Sequence, residues 1–230
     1  MPTLAVIDFE TTGLSPACGA RATEIAAVLV RGERIVAQYQ SLMCTGAWIP
    51  GPIERLTGIS NAMVRTAPPA EQVMREIGEF TRGCALVAHQ AAFDRAFWIA
   101  EGTRCSDRWD TSPAFACTVL LSRRLYPQAD NHRLGTLARL HGLPMGARAH
   151  RALADAVVTA HLLIRIQQDL RDRYADLQAA PHVPHELLTQ LQRVPSSRWA
   201  SCVRHARPGS AGAEPPLRQR ATPSARTRAT

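Results

Sequence analysis

The order of hydrophobic and polar residues predicts strands in the first part of the chain. The run Thr3–Phe9 is almost entirely apolar, which is typical of a central strand. Glu24–Val30 and Arg34–Leu42 are strand-like segments on either side of the turn residues 31–33, and this arrangement predicts a hairpin. The chain therefore opens with three strands, of which the first is the most apolar.

Beyond residue 50, apolar positions recur at helical spacing and are interrupted by short apolar strands. We predict helices at Ala70–Arg82, Ala91–Glu101, Thr118–Leu125, Leu134–His141 and Arg151–Leu170. We predict strands at Ala85–His89 and Ala114–Cys117, whereas Pro50–Ala67 is loop-rich with one short helix. Three strands followed by helix–strand–helix units imply an α/β fold in which helices flank a mixed sheet.

Length and composition divide the chain into three parts. A chain of 230 residues suits one domain with an appendage, and we expect that domain over residues 1–175. Residues 176–199 are predicted to hold an accessory helix, with Leu187 and Leu191 at helical spacing. That helix either packs back onto the domain or docks on a partner protein. Residues 200–230 lack apolar periodicity, which predicts a disordered tail rich in Arg, Pro and Ala.

Charge and cysteine content exclude few classes of function. The formal net charge is +8, and residues 200–230 hold six arginines against the single acid Glu214. All 27 basic residues are arginine, as a GC-rich coding bias would produce, so the basic balance is weak evidence for a nucleic-acid partner. The six cysteines are scattered without a CxxC pair, which argues against a zinc site and against a disulfide framework.

The sequence shows no membrane span and no secretion signal. No run approaches the ~18 apolar residues that a membrane helix needs. The N-terminus lacks a basic region followed by a long apolar stretch. We therefore expect a cytoplasmic protein without a membrane partner.

Two carboxylates interrupt the first apolar strand. Asp8 and Glu10 are two residues apart, so both side chains point to the same face of the sheet. Two acids placed in this way repel each other unless a cation lies between them. Oxygen ligands of this kind suit Mg²⁺, which proteins usually hold with one or two carboxylates and a substrate phosphate. The pair alone is equally compatible with a solvated strand end.

Three further residues are candidates for the same chemistry. Asp94 follows a predicted strand at the start of a helix, where open sheets bind ligands and where an acid also complements the helix dipole. Asp155 lies among alanines near the start of the long helix, without an evident structural partner. His150 precedes that helix and is either a capping or surface residue or a general base that activates water.

Together and in this order, these segments resemble the DEDDh family of 3′–5′ exonucleases, whose best-known members are the proofreading (epsilon) subunits of bacterial DNA polymerase III. The matching segments are Val6–Leu14, Leu86–Asp94 and His150–Asp155, with family spacers at Leu56–Ile59 and Asn131–Leu137. The resemblance covers about residues 4–165. The chain departs from the family at Gln90, where members usually have an asparagine.

The resemblance implies an RNase H-like fold, with a five-stranded mixed sheet flanked by helices. It also implies two divalent cations, Mg²⁺ or Mn²⁺. Asp8, Glu10 and Asp155 would hold the cation that activates water. Asp8 would bridge to the second cation, which Asp94 would support through water. His150 would take the proton from the attacking water, and the products would be nucleoside 5′-monophosphates.

The resemblance further implies contacts with the terminal nucleotide. The residues expected to make them are Thr11, Thr12, Leu14, Thr57 and His89. Leu14 would provide an apolar surface against the base. The expected substrate is a single-stranded or frayed DNA 3′ end, and the enzyme would be either free-standing or docked on a DNA polymerase.

Two alternatives stay open at this point. An RNA-trimming exonuclease of the RNase T or oligoribonuclease type shares the same five residues, because the choice of nucleic acid rests on how the pocket treats the 2′-hydroxyl. A nucleic-acid-binding module on the same fold, without catalysis, belongs to a different functional class. Metal-dependent turnover would distinguish an enzyme from this module.

Overall fold

A five-stranded mixed sheet forms the centre of the protein, as shown by a computed structural model that describes residues 2–145, 150–178 and 182–206. The strands are β1 (Leu4–Thr11), β2 (Ala22–Arg31), β3 (Arg34–Leu42), β4 (Ala85–Ala88) and β5 (Phe115–Cys117). They lie in the order β3-β2-β1-β4-β5; the first three are antiparallel, and β4 and β5 run parallel to β1. The predicted α/β fold with a five-stranded mixed sheet is confirmed.

Helices cover both faces of this sheet. They are α1 (Gly51–Thr57), α2 (Asn61–Arg65), α3 (Ala70–Phe80), α4 (Ala91–Cys105), α5 (Thr118–Leu125), α6 (Leu134–Leu140), α7 (Ala152–Arg173), α8 (Ala175–Gln178), α9 (His185–Leu191) and α10 (Trp199–His205). Short 3-10 helices lie at Pro16–Cys18 and Ser196–Arg198. The prediction of one short helix between residues 50 and 67 was wrong. Gly58, with φ of 70°, ends α1, and the Ser60 side chain then caps a second helix.

Alternation along β1 divides the core into two clusters, one on each face of the sheet. Leu4 and Val6 pack in the cluster that includes α7, whereas Ala5, Ile7 and Phe9 pack in the cluster that includes α3 and α4. Because side chains alternate along a strand, the acids at positions 8 and 10 continue the row that faces α7. The fold thus directs both strand carboxylates towards the long helix.

The C-terminal helices pack onto the α7 side of the domain. Leu187, Leu191, Trp199 and Val203 are buried in the same core cluster as α7. The side chain of Gln192 accepts a hydrogen bond from the Cys117 backbone (2.6 Å) and donates one to the Phe115 carbonyl (3.1 Å). It therefore satisfies backbone groups on the outer edge of β5 that have no strand partner there.

The predicted start of a disordered tail at residue 200 was wrong for residues 200–205, which lie in α10. Trp199 and Val203 are one helical turn apart and are both buried, so this turn has an apolar face that composition alone concealed. Residues 207–230 of the predicted tail lie outside the described residues. Across the described ranges, no helix has both the length and the apolar character needed to cross a membrane.

Candidate active site

The second half of β1 presents two carboxylates towards α7. Asp8 and Glu10 lie opposite Ala26 and Glu24 of β2, just before an irregularity in the pairing that follows Glu10. One carboxylate oxygen from each of them lies within 4.8 Å of an oxygen of Asp155. Asp8 and Asp155 are 147 positions apart in the sequence, and the fold brings them together with Glu10 in one cluster.

Asp94 reaches the same region from the first turn of α4. Its side chain is only 2% exposed, and its Oδ1 accepts a hydrogen bond from the Phe9 backbone at 3.1 Å. Burial raises the pKa of Asp94 well above its ordinary range, against the lowering effect of this bond. Because Phe9 lies between Asp8 and Glu10 on β1, this bond fixes the start of α4 next to both strand acids.

Asp155 and His150 come from the start of α7. Asp155 lies in the first turn, and its Oδ2 accepts a hydrogen bond from the His150 backbone at 3.2 Å. Burial raises the pKa of Asp155, while the His150 backbone N–H lowers it. His150 itself is exposed and has a φ of 61°, in the left-handed region that residues other than glycine rarely adopt.

The burial of several acids close to one another is the dominant electrostatic feature of the site. Burial raises the pKa of Asp8 well above its ordinary range, and the charges of Asp94, Asp155 and Glu10 raise it further. Burial, followed by the charges of Asp155 and Glu24, raises the pKa of Glu10 from 4.5 to about 8. A positive charge stabilises buried carboxylates whose pKa values are raised in this way. This set of oxygen ligands therefore fits a divalent cation.

A cleft of about 890 Å³ opens over these acids. All four carboxylates and His150 line it, and so do Thr11, Leu14, Thr57 and His89 of the residues expected to contact substrate. Thr12 is not among the lining residues. Its hydroxyl accepts a hydrogen bond from the Arg21 backbone at 3.0 Å, which holds the loop after β1 against the start of β2.

The lining residues differ in how free they are to meet a ligand. Leu14 is 89% exposed, whereas Thr57 is buried and its hydroxyl is already bonded to the Ile53 carbonyl and the Ile59 N–H. Burial lowers the pKa of His89 to about 4, so its imidazole is neutral at pH 7. The His89 Nδ1 lies 2.8 Å from the hydroxyl of Thr118.

Gln90 lies in the left-handed region, with φ of 67° and ψ of 46°, at the start of α4. Asparagine adopts this conformation more readily than other residues that carry a side chain, because its short amide bonds locally to the backbone. The family's usual asparagine therefore suits the backbone here, and the glutamine of this chain occupies it with some strain.

Several residues of the cleft were not predicted from the sequence. Leu56 and Met145 are each more than half exposed and, with Leu14, give the cleft an apolar rim. The exposed Arg133 and Arg139 line it from α6 and the residue before it. Leu56 and Arg133 lie in the family spacers Leu56–Ile59 and Asn131–Leu137, to which no role was assigned, and no sequence signal indicated Arg139 or Met145.

A buried ion pair beside the acids was also missed. Glu24 is fully buried and binds Arg151, the residue directly after His150. A charge within the apolar run of β2 was the available signal, since a buried carboxylate requires a partner. The identity of that partner, 127 residues away, could not be read from the local pattern.

Comparisons with known proteins agree with this geometry. A family model described as "Exonuclease" matches residues 5–163. A DNA polymerase III subunit epsilon-like protein of Rhodobacter capsulatus is 37% identical over 174 residues, which cover 74% of this chain and 24% of that protein. The DNA polymerase III subunit epsilon of Aquifex aeolicus is 33% identical over 172 residues, which cover 75% of this chain and 84% of that protein.

Among solved structures, Exonuclease X in complex with 5′ overhanging duplex DNA matches with a TM-score of 0.62 and 28% sequence identity. The match covers 82% of this chain and 99% of that one. The chain spans less than a third of the length of several curated relatives that it matches.

Proposed function

This chain belongs to the exonuclease family, and from that premise we propose that it is a 3′–5′ exonuclease that removes nucleoside 5′-monophosphates from DNA 3′ ends. The observation that carries the proposal is the cluster of Asp8, Glu10 and Asp155, whose carboxylate oxygens lie within 4.8 Å of one another beside an open cleft. The raised pKa values of Asp8, Glu10 and Asp155 support a cation-binding role, because a positive charge offsets the cost of burying their negative charges close together.

Each acid has a proposed role in holding divalent cations. Asp8, Glu10 and Asp155 would hold one cation, and Asp8 would share a second with Asp94 acting through water. The all-oxygen donor set suits either Mg²⁺ or Mn²⁺. Divalent cations at such a site activate a water molecule and stabilise the charge that develops as the phosphodiester bond breaks.

His150 is the proposed general base. It lines the cleft and is exposed, so one imidazole nitrogen can accept the proton of the attacking water. The hydrogen bond from its backbone to Asp155 keeps it next to the carboxylate cluster. The imidazole then passes the proton to solvent, which its exposure permits.

A second group of cleft residues would bind the terminal nucleotide. The exposed Leu14 would lie against the base, and Leu56 and Met145 extend that apolar rim. Thr11, Thr57 and His89 line the same cleft, whereas Thr12 acts through the loop that it anchors.

The two arginines would contact phosphates. Arg133 and Arg139 line the cleft together with the acids and are both exposed, so they provide positive charge for a nucleic-acid backbone. Such contacts weaken as salt concentration rises.

DNA is the proposed substrate, and a DNA polymerase is a proposed partner. The support is that two relatives are named as epsilon-type subunits of DNA polymerase III and that Exonuclease X was solved with DNA. A cytoplasmic location stays a prediction from the sequence.

The test uses 5′-labelled single-stranded DNA and RNA of matched sequence, with Mg²⁺, Mn²⁺ or EDTA. We expect DNA to shorten from its 3′ end in either metal but not in EDTA, and Asp155→Asn to abolish the shortening. Asp107→Asn is the matched control, because Asp107 is exposed and lies outside the cleft lining. Faster shortening of RNA would move the protein to RNA processing. Failure with both substrates in both metals would favour a non-catalytic binding module.

A further inference from the structure

Glu24 is a buried carboxylate with an unusual number of partners. It is fully buried on β2, directly opposite Glu10. Its two oxygens accept hydrogen bonds from Arg151 Nη2 (2.6 Å) and Nε (3.0 Å), and further bonds come from the Gln40 amide (2.6 Å) and the Ala152 backbone (3.0 Å). Burial raises the pKa of Glu24, but these hydrogen bonds outweigh it and hold the pKa below its ordinary value. The group is therefore a carboxylate at neutral pH.

The hydrogen bonds that Glu24 accepts from the α7 side all come from two consecutive residues at the start of that helix. Arg151 directly follows His150, and Ala152 is the first residue of α7. Asp155 lies three residues further on and accepts the His150 backbone N–H. Glu24 thus holds Arg151 and Ala152, the two residues that directly follow the proposed base and begin the helix.

We propose that Glu24 and Arg151 are positioning residues that fix the His150–Asp155 segment against the strand acids. The inference rests on the proposed function, for which His150 and Asp155 must lie beside Asp8 and Glu10. Neither Glu24 nor Arg151 lines the cleft, so both act through the residues that do.

The backbone of His150 explains why this segment needs a strong constraint. Its φ of 61° costs free energy for a residue with a side chain, and such a conformation persists only where the surroundings enforce it. The forked contact of Arg151 fixes direction as well as distance. The Glu24 bond to Ala152 also places negative charge at the start of α7, where it complements unpaired backbone N–H groups.

A second ion pair of the same kind provides a matched control. Arg21 binds the buried Glu101 through Nε (2.8 Å) and Nη2 (2.9 Å), and Glu101 also accepts the Ala22 backbone N–H (3.1 Å). Neither Arg21 nor Glu101 lines the cleft. The two pairs therefore match in burial and bonding, but only one is attached to the proposed catalytic segment.

The experiment compares Arg151→Gln, Arg151→Lys and Arg21→Gln in the full chain. Three quantities are measured: the melting temperature, kcat and KM on single-stranded DNA with Mg²⁺, and hydrogen exchange of the amides in residues 150–155. We expect both glutamine variants to lower the melting temperature by similar amounts. Arg151→Gln should lower kcat by about 10- to 100-fold with little change in KM, since comparable supporting contacts have effects of that size. Arg21→Gln should leave kcat within about threefold, because the contact of Arg21 with Thr12 is made by the backbone, which the substitution keeps, and its guanidinium binds Glu101 outside the cleft lining.

Exchange and rescue separate positioning from simple loss of stability. Arg151→Gln should speed exchange in residues 150–155, and Arg151→Lys, which keeps the charge but not the fork, should restore part of kcat. Equal loss of kcat in Arg151→Gln and Arg21→Gln, or unchanged exchange at 150–155, would overturn the proposal. If Arg151→Gln does not fold, Glu24→Gln provides the same comparison.

A wild-type protein that degrades no substrate would instead contradict the proposed function. The exchange measurement does not depend on activity, so it would still decide whether the pair orders this segment.

Discussion

The strand side and the helix side of the active site are held in different ways. Asp8 and Glu10 lie on β1, whose backbone pairs in regular register with β2 from Leu4 to Glu10, so their positions depend on sheet hydrogen bonds that most sequences could make. His150 and Asp155 lie where α7 begins, and His150 is exposed with a left-handed backbone. Their positions depend on one bond between them and on the ion pair formed by Glu24.

The two sides of the site should therefore respond differently to substitution. Substitutions on the strand side should act through lost charge, because the backbone there will keep its place. Substitutions near α7 should act through geometry as well.

Removal of a strand carboxylate should abolish activity while stabilising the protein. Asp8→Asn should lower kcat by about 10³-fold or more, because a catalytic cation contributes several kcal/mol to the transition state. The same change removes a charge that its neighbours disfavour, so the melting temperature in EDTA should rise. Steady-state kinetics and thermal denaturation measure the two effects. A fall in both quantities would show that Asp8 has a structural role instead, and Asp107→Asn controls for charge alone.

Removal of the proposed base should have a smaller effect on activity. His150→Gln should lower kcat by about 100-fold or more, as general-base catalysis contributes at least that factor. The affinity for Mn²⁺, measured by isothermal titration calorimetry, should stay close to that of the wild type, because His150 is not a proposed ligand. If affinity falls as much as kcat does, then His150 positions Asp155 and is not the base.

The pH dependence of stability should reveal the cost of burying Glu10 next to other acids. The pKa of Glu10 is raised from 4.5 to about 8 in the folded protein, so the folded state binds this proton more tightly than the unfolded chain does. Without divalent cations, stability should therefore fall as pH rises from about 5 to about 8.

Cations and substitution should both reduce this slope. Mg²⁺ or Mn²⁺ replaces the proton as the positive charge at the site, and Glu10→Gln removes the titrating group. Melting temperatures recorded across this pH range, in EDTA and with a divalent cation, would measure this slope. A slope in EDTA that Glu10→Gln leaves unchanged would be inconsistent with the raised pKa of Glu10.

The smallest expected effect concerns Gln90. Gln90→Asn should stabilise the protein by about 0.5–1 kcal/mol, because asparagine tolerates the left-handed conformation better. Gln128→Asn is the matched control: Gln128 is exposed and is not among the described residues with positive φ, so it should show no gain. Denaturant unfolding measures both, and equal changes would show that the backbone at Gln90 carries no strain.

Much of the fold could be predicted because its signals are local. The apolar run before Asp8 and the helical spacing in Ala70–Arg82 each depend on neighbouring residues, and both elements are confirmed, although the helix ends at Phe80. The membership in the exonuclease family, predicted from three motifs in order, is also confirmed. The roles assigned to individual site residues stay predictions.

The failures have a common physical cause. The helix at Trp199–His205 was missed because its stability comes from burial beside α8 and α9 in the core cluster, not from its own composition. The bond between the Thr12 hydroxyl and the Arg21 backbone was also not predicted, because a motif does not encode such a contact; the role of Thr12 at the nucleotide stays a prediction.

The sequence by itself determined that Asp8 and Glu10 share one face of a strand, since a period of two places them there in any β conformation. It also determined, by resemblance, the chemistry expected of them. Only the tertiary structure decided that Asp155 completes their cluster and that Glu24 binds Arg151. The physical reason is that the alternation of residues acts over a few positions, whereas the partner of a buried charge is selected by the packing of distant segments.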